Sequence, residues 1–268
     1  MNIVLTIAGS DCSGGAGIQA DMKTIMAHGA YAMSVVTALT AQNTTGVFGI
    51  WETAADCVSA QLDAVFSDIP PQAVKIGMLC SEAGISAVSG KLKEYRAGNL
   101  VIDPVMVSTS GDRLMQAQAL QYAKKKLYPW ASVLTPNIPE AEVLSACMIK
   151  DRASMQKAAK TIFHSFGCAV LCKGGHLSDT SDDLLYDGEQ FYWFEGKQIP
   201  TTNTHGTGCT LSSAIACNLA AGFKLPDAVC RAKEYVTGAL SDGLDLGHGN
   251  GPLNHGYQFQ KSGCLSMK

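Results

Sequence analysis

A glycine-rich segment late in the chain has the residue types of an anion-binding loop. It runs from His205 to Thr210 (HGTGCT) and precedes an apolar, helix-like run from Leu211. Small residues let backbone N–H groups converge on one space, and a helix N-terminus adds about half a positive charge. No G-x-x-x-x-G-K-[ST] pattern occurs, so this is not a Walker A loop. The helix field should also lower the pKa of Cys209 and favour its thiolate, unless Cys209 is only a small residue near a helix cap.

A second glycine-rich segment lies near the start of the chain, over residues 14–20 (GGAGIQA). Gly15, Gly17 and Ala20 match the spacing of a dinucleotide-binding loop. That loop requires an acidic residue roughly 20 positions later, yet no Asp or Glu occurs between Asp21 and Glu52. The remaining interpretations are a tight turn without a ligand and a loop shaped for another small molecule.

Asn137 and Glu140 place an amide and a carboxylate three residues apart in the segment NIPE. This spacing is typical of a capping box, in which each side chain bonds the other residue's backbone N–H. The same oxygen groups suit a hard cation such as Mg²⁺, reached through water and shared with nucleotide phosphates. The spacing leaves both interpretations open.

The chain alternates short apolar strands with longer amphipathic helices. We expect strands over 3–8, 31–39, 47–51, 73–76, 100–103, 133–135 and 169–172, and a hairpin of 183–186 with 190–194. We expect helices over 18–27, 55–66, 81–95, 140–146, 154–166, 211–221 and 227–240. This order predicts an α/β fold with a central, mostly parallel sheet flanked by helices on both faces.

Unusual residues follow five of these strands. Ligands gather at the carboxyl ends of parallel strands, so we expect these segments to surround one site. They are residues 9–17, 75–78, 103–106, 137–140 and 173–176. Glycine-rich or polar endings on five strands are harder to explain by packing than any one of them alone.

Composition excludes several classes of protein. The 268 residues carry 20 Lys and Arg against 23 Asp and Glu, a formal net charge of −3, which does not suit nucleic-acid binding. No apolar run approaches the roughly 18–20 residues of a membrane-spanning helix. The N-terminus has no basic, signal-like region, and ten scattered Cys without a C-x-x-C pair are typical of a reducing compartment, so we expect a cytoplasmic protein. We expect residues 1–268 to form one domain.

Taken together, these segments resemble the ribokinase-like kinases, and within them the hydroxymethylpyrimidine/phosphomethylpyrimidine kinases of thiamine biosynthesis. The resemblance runs in order over nearly the whole chain. The two specific motifs are AGSDCSGGAGIQAD (8–21) and THGTGCT (204–210). The other matching stretches are TALTAQNTTGV (37–47), KIGML (75–79), DPVM (103–106), TPNIPEAE (135–142), KGGH (173–176) and the closing motif GNGPLNH (249–255), of which KGGH or DPVM alone would be a weak match.

This resemblance implies a three-layer αβα fold, ATP with Mg²⁺, a pyrimidine alcohol as substrate, and a homodimer. The implied reaction phosphorylates 4-amino-5-hydroxymethyl-2-methylpyrimidine, and then its monophosphate. The family's substrate contacts correspond to Gly9, Ala16, Asp21, Gln42, Met78 and Val105. Its nucleotide and metal contacts correspond to Asp103, Asn137, Glu140, Lys173, Thr207, Gly208 and Lys233.

Chemistry assigns roles to these positions within the resemblance. Backbone N–H groups of Gly206, Thr207 and Gly208 form an anion hole, and Lys173 follows the transferred phosphoryl group. Cys209, where many sugar kinases of the superfamily carry Asp, accepts the hydroxyl proton. Gln42 presents a donor and an acceptor to an aminopyrimidine edge. Asp21 holds the substrate hydroxyl or a ring amine.

Two alternatives accompany this interpretation. A pyridoxal kinase of the same family has a similar substrate, but such relatives tend to lack the Gln42-Asn43-Thr44 motif that is intact here. A non-catalytic ligand-binding protein on the same fold would be expected to lose Lys173, Asn137, Glu140 or Cys209. Residues 258–268 lie beyond the matched segments, and we expect a solvated tail there.

Overall fold

The computed structural model describes residues 1–107, 114–175, 181–196 and 198–261. The strands found there are β1 (Ile3–Asp11), β2 (Tyr31–Asn43), β3 (Gly46–Glu52), β4 (Ala73–Ile76), β5 (Leu100–Ile102), β6 (Val133–Leu134), β7 (Ala169–Cys172), β8 (Asp183–Tyr186) and β9 (Phe191–Phe194). They form one sheet in the order β3-β2-β1-β4-β5-β6-β7-β8-β9. The pairs from β2 to β7 are parallel, whereas β3, β8 and β9 join antiparallel at the two edges.

Helices cover both faces of this sheet. They are α1 (Gly17–Ala27), α2 (Ala55–Asp68), α3 (Glu82–Glu94), α4 (Ala117–Lys126), α5 (Ile138–Ser145), α6 (Arg152–Phe166), α7 (Thr207–Ala220), α8 (Leu225–Ser241) and α9 (Tyr257–Lys261). Apolar residues of α2 to α6 share one core with the sheet, and those of α1, α7, α8 and α9 share the other. The predicted three-layer arrangement is confirmed.

Strand β4 shows how alternation divides side chains between the two cores. Val74 and Ile76 point into the core of α2 to α6, and Ala73 points into the core of α1, α7 and α8. Lys75 has the same parity as Ala73, so its side chain lies on the α1 and α7 face, where it is completely buried. A charged residue therefore occupies a core position beneath two helices.

The predicted bounds agree best with the observed bounds for the short, fully buried strands. The strands 73–76 and 169–172 agree at both ends. Strand β1 continues past Gly9 to Asp11, because after a register shift at Ala8 and Gly9 its last residues still pair with β2. Helix α4 has no counterpart in the prediction. Its buried residues, Ala119 and Ala123, are small, so its buried face gives only a weak apolar signal in the sequence.

Two predictions fall partly or wholly outside the described residues. His176, in the motif KGGH, lies outside them, as do residues 262–268 of the expected tail. Residues 258–261 belong to helix α9. Among the described residues, each helix is too short or too polar to cross a membrane.

Residues 247–255, the closing segment, connect the end of α8 back to the turn between β2 and β3 and to the late glycine-rich loop. The backbone N–H of Asn250 donates to the carbonyl of Thr44, at 2.9 Å, and His205 donates its backbone N–H to Gly251. The ring of His255 lies 3.0 Å from the Thr210 hydroxyl, in the first turns of α7. The closing segment thereby fixes the start of α7.

Because His255 is buried, its pKa is lowered to about 4, with the nearby charge of Lys23 acting in the same direction. In the unfolded chain the imidazole takes up a proton near its ordinary pKa of about 6.5. As the pH falls from that value towards 4, the unfolded state gains protons that the folded state does not bind. Stability is therefore lost over this range.

We predict that H255Q weakens this pH dependence of the free energy of unfolding, by up to about 3 kcal/mol between neutral pH and pH 4, at about 1.4 kcal/mol per pKa unit. Urea unfolding at a series of pH values measures the effect. The matched control is H248Q, at an exposed histidine of the same segment, which should keep the wild-type dependence. Equal pH dependence in H255Q and wild type would contradict the prediction.

Candidate active site

A cavity of about 930 Å³ lies where the parallel strands end. Both Gln42, from the end of β2, and Cys209, from the first turn of α7, line it, so the two ends of the expected site share one space. Fourteen of the residues named from the sequence line this cavity: Gly9, Ala16, Gln42, Met78, Asp103, Val105, Asn137, Glu140, Lys173, Gly206, Thr207, Gly208, Cys209 and Lys233. Asp21 is the exception.

The early glycine-rich loop is held by the carboxylate of Asp11. This carboxylate accepts the backbone N–H groups of Ser13 and Ala16, at 2.8 and 2.7 Å. The ring Nε2 of His205 lies 2.8 Å from the same carboxylate. Burial would raise the pKa of Asp11, but these hydrogen bonds outweigh it and hold the pKa below its ordinary value. The loop is thus tied to the late glycine-rich loop through an ionised, buried carboxylate.

The two glycine-rich loops also touch through their backbones. Gly206 has φ +84°, and a Cβ there would lie 1.9 Å from the carbonyl oxygen of Gly15. Helix α7 begins at Thr207 with Gly206 as its N-cap residue and has no side-chain cap. Its first-turn N–H groups lack intrahelical acceptors, as in any helix. The N–H of Thr207 bonds the carbonyl of Thr204, so the anion hole of this loop depends on its other N–H groups.

Cys209 does not have the low pKa that the sequence suggested, and that prediction was wrong. Burial raises the pKa of its thiol to about 11, and the carboxylates of Asp21 and Asp103 act in the same direction. The charge of Lys75 and a hydrogen bond from the backbone N–H of Gly17 oppose the rise. The free-energy cost of burying the thiolate exceeds the electrostatic stabilisation that the N-terminus of α7 supplies.

Asp21 lies behind the cavity wall, which corrects its assignment as a substrate contact. Its carboxylate is completely buried and accepts two hydrogen bonds from the ammonium of Lys75, at 2.8 and 2.9 Å. The hydroxyls of Thr6 and Ser213 donate to it at 2.6 and 2.8 Å. With both oxygens satisfied inside the protein, Asp21 positions Lys75.

A second charged group lies on the opposite wall. Lys173, just after β7, donates to Asp103, just after β5, at 2.7 Å. Asn137 and Glu140 form the complete capping box of α5, which confirms the capping interpretation. Burial raises the pKa of Glu140, and the Asp103 carboxylate adds to the rise while Lys173 opposes it. Lys173 thus neutralises Asp103, while Glu140 is left without an ion pair among the described residues and has a raised pKa of about 7.

These oxygen groups fit Mg²⁺ held through water. Asp103, Glu140 and the carbonyl of Asn137 are hard oxygen donors on one wall, and a cation there would favour the ionised form of Glu140. Within the described ranges, no cluster of three or more His, Cys, Asp or Glu side chains could enclose a metal directly. The arrangement therefore suits an ion whose remaining ligands are water and phosphate.

Lys233 serves the nucleotide side of the cavity indirectly. Its ammonium donates to the carbonyls of Ser181 and Phe194, both at 2.9 Å, and to the carboxylate of Asp183, at 2.7 Å. These three bonds use its three N–H groups. Lys233 thus anchors the ends of β8 and β9 to α8, and no N–H is left for a phosphate.

The substrate side is narrow and apolar around Gln42. A Cβ at Gly9 would lie 2.7 Å from the terminal methyl of Met78, so a larger residue there would displace the end of that side chain. Gln42 follows a register shift between Ala41 and Gln42, where β2 and β3 pair irregularly. Ala16 and Val105 complete this part of the cavity lining.

The family model for phosphomethylpyrimidine kinase matches residues 11–254. The chain is 51% identical over 253 residues to the thiamine biosynthesis bifunctional protein ThiED of Geobacter sulfurreducens, covering 94% of the chain but 52% of that relative. It is 47% identical over 256 residues to the hydroxymethylpyrimidine/phosphomethylpyrimidine kinase of Streptomyces coelicolor, covering 95% of the chain and 94% of the relative.

The chain belongs to the phosphomethylpyrimidine kinase family. Among solved structures, the pyridoxal kinase of Staphylococcus aureus in complex with AMP-PCP and pyridoxal superposes with a TM-score of 0.88 at 35% identity, covering 96% of this chain and 94% of that one. The fold is therefore shared with pyridoxal kinases, as the ribokinase-like resemblance implied.

Two features of this member of the family were not assigned from the sequence. Lys75 was noted as a strand end, but an isolated lysine in an apolar strand does not reveal which carboxylate neutralises it. The contact between Asp11 and His205 joins residues 194 positions apart, and the spacing within either motif carries no trace of it. In both cases the missing information was the relative placement of α1, β4 and α7.

The backbone contact at Gly206 generates a prediction. We expect G206A to lower kcat/KM on the order of 10²-fold, because the added methyl cannot fit against Gly15 and must displace the anion-hole loop. The matched control is G222A, whose φ of +85° is nearly the same but whose surroundings are open. It should lose only about 1 kcal/mol of stability and keep its activity. Similar kcat/KM values in the two variants would contradict a role for the Gly206 contact.

Proposed function

We propose that this protein transfers the γ-phosphoryl group of ATP to the hydroxymethyl oxygen of 4-amino-5-hydroxymethyl-2-methylpyrimidine, and then phosphorylates the monophosphate to the diphosphate. The observation that carries the proposal is the single cavity that Gln42 and Cys209 share. One residue offers a paired donor and acceptor for a heterocycle, and the other stands at an anion-binding helix terminus. Membership of the phosphomethylpyrimidine kinase family supports the same substrate.

The first transfer requires removal of one proton. The hydroxymethyl oxygen forms a bond to the γ-phosphorus as the bond between that phosphorus and the β,γ-bridging oxygen breaks, and ADP leaves. The hydroxyl proton passes to the sulfur of Cys209 in its thiolate form. A pKa of about 11 makes this thiolate scarce at neutral pH but strongly basic.

The developing negative charge is met by groups on both sides of the cavity. Free N–H groups of the loop around Gly208 and the ammonium of Lys173 face the transferred phosphoryl group. A Cβ on Gly208 would lie 3.2 Å from the Lys173 nitrogen, which places the two groups side by side. Asp103, Asn137 and Glu140 would hold Mg²⁺ through water, and the ion would supply neutralisation of phosphate charge.

Homodimer formation also belongs to the proposal. The β2–β3 edge exposes large apolar side chains that a second copy of the chain could cover, which favours a dimer through this edge. These side chains are Leu39 (57% exposed), Phe48 (71%), Ile50 (37%) and Trp51 (61%). The cytoplasmic location stays a prediction.

Kinetic comparison of the hydroxymethylpyrimidine, its monophosphate and pyridoxal tests the substrate assignment. We expect kcat/KM to be higher for the pyrimidine than for pyridoxal, and Q42L to lower the value for the pyrimidine roughly 10- to 100-fold by removing hydrogen bonds to it. Q121L, at an exposed glutamine of α4, is the matched control. A preference for pyridoxal would favour the related kinase, and binding without ADP release would favour a non-catalytic protein.

Cys209 allows the two transfers to be separated. The monophosphate oxygen is already ionised at neutral pH, since the second pKa of a phosphate ester is about 6, and needs no base. We therefore expect C209A to slow the first transfer far more than the second. In the wild type, the rate of the first transfer should rise with pH above neutrality, because the thiolate fraction grows, and C209A should lack this rise. Single-turnover assays that show equal slowing of both transfers would remove the base role.

A further inference from the structure

Helices α1 and α7 lie side by side and contact each other in two successive steps. In the first step, the backbone N–H of Gly17 donates to the sulfur of Cys209. In the second, the hydroxyl of Ser213 donates to Asp21 at 2.8 Å. On α1, Asp21 is four residues after Gly17, and on α7, Ser213 is four residues after Cys209. Asp21 and Ser213 therefore each lie one helical turn further along the same face of their helix. The Asp21 carboxylate therefore lies one turn below the Cys209 sulfur.

Lys75 reaches this position from the sheet below. Both of its hydrogen bonds among the described residues go to Asp21, which leaves one of its three N–H groups without an acceptor there. The side chain is completely buried, yet it borders the cavity. A Cβ at Gly77 would lie 2.8 Å from the Lys75 nitrogen, so glycine at that position leaves space for the ammonium.

We propose that Lys75 is a positioning residue for Cys209, and that its ammonium, fixed by Asp21, stabilises the thiolate which takes the proton from the substrate hydroxyl. In that step the O–H bond breaks, an S–H bond forms, and the oxygen is left to bond phosphorus. The catalytic part of this inference rests on the proposed function. The stabilisation of the thiolate is a property of the free protein.

Several charges face the sulfur, and their signs favour Lys75 as the decisive one. Asp21 from α1 and Asp103 after β5 both raise the pKa of Cys209, and Lys75 from β4 lowers it. Lys173, after β7, also interacts with Cys209, but it is paired with Asp103 and faces Glu140. Lys75 instead lies beneath α1 and α7, on the same side as the sulfur, and its charge opposes the rise in the pKa of the Cys209 thiol.

The rate at which iodoacetamide alkylates Cys209 tests this arrangement without any substrate. Between about pH 8 and 10 that rate is proportional to the thiolate fraction, and mass spectrometry of the Cys209 peptide separates it from the other cysteines. At a given pH, we expect Cys209 in K75M and K75Q to react at least about tenfold more slowly than in the wild type. The reason is that loss of a nearby positive charge raises the pKa of the thiol by about one unit or more. K93M, which removes an exposed lysine of α3, is the matched control and should react like the wild type. Folded K75M or K75Q with wild-type reactivity would overturn the proposal.

A second measurement uses the wild-type side chain, because loss of a buried ammonium can prevent folding. The interaction is reciprocal, so ionisation of Cys209 must change the environment of the Lys75 nitrogen. In protein labelled with ¹⁵N-lysine, the Lys75 signal should move as Cys209 ionises, and C209A should lose this movement. The same titration in both proteins would overturn the proposal, whether or not the Lys75 variants fold.

These readouts separate this inference from the proposed function. Turnover of the pyrimidine together with a Cys209 reactivity that does not depend on Lys75 would leave the function standing and remove Lys75 from it. A Lys75-dependent reactivity in a protein that does not phosphorylate the pyrimidine would remove the function, and with it the catalytic part of the inference.

Discussion

The hydrogen bond between Asp11 and His205 is the contact on which the cavity depends. It joins two glycine-rich loops that are 194 residues apart in sequence, one before α1 and one before α7. Because the loops also meet through the backbones of Gly15 and Gly206, neither can move without the other. Both loops line the cavity, the early loop through Ala16 and Gly17 and the late loop through residues 204–209.

The charges around the cavity fall into two groups that differ in their balance. On the sheet side of α1 and α7, Lys75 and Asp21 neutralise each other in a completely buried pair, and hydroxyl donors satisfy the carboxylate. Such a pair adds little stability, since desolvation offsets the attraction, but it fixes the groups around it. On the other wall, Lys173 neutralises Asp103, and burial raises the pKa of Glu140 to about 7. The first group adjusts a sulfur, and the second contains a carboxyl group that a bound cation would ionise.

Sequence patterns were sufficient for the layers of the fold and for most of the cavity lining. Parallel strands end at one edge, so the positions that follow them could be grouped without knowing any distance. Asn137 and Glu140 could be paired because a capping box is local. What the patterns could not supply was the solvation of each group. Cys209 was expected to be acidic from its place on α7, but the surroundings that enclose it come from α1 and β4.

Asp21 is a second residue whose role the sequence patterns could not decide. Its position at the end of a specific motif indicated a function, but the choice between holding a ligand and holding a lysine depends on which face of β4 carries Lys75. Helix α4 was missed because its buried residues are small alanines, which mark a core-facing side less clearly than larger apolar residues do. In each case a contact from a distant part of the chain decided the outcome.

The closing segment has a consequence for how the protein is made. Residues 247–255 bond the turn next to Gln42 through Thr44, and they pair with His205 beside the anion-binding loop. A ribosome adds residues from the amino terminus, so the sheet and most helices can form while this segment has not yet been synthesised. The two halves of the cavity are locked together only after it emerges. A nascent chain that ends before residue 247 would contain Gln42, Lys75, Lys173 and Cys209 but would lack the closing segment that fixes their relative positions.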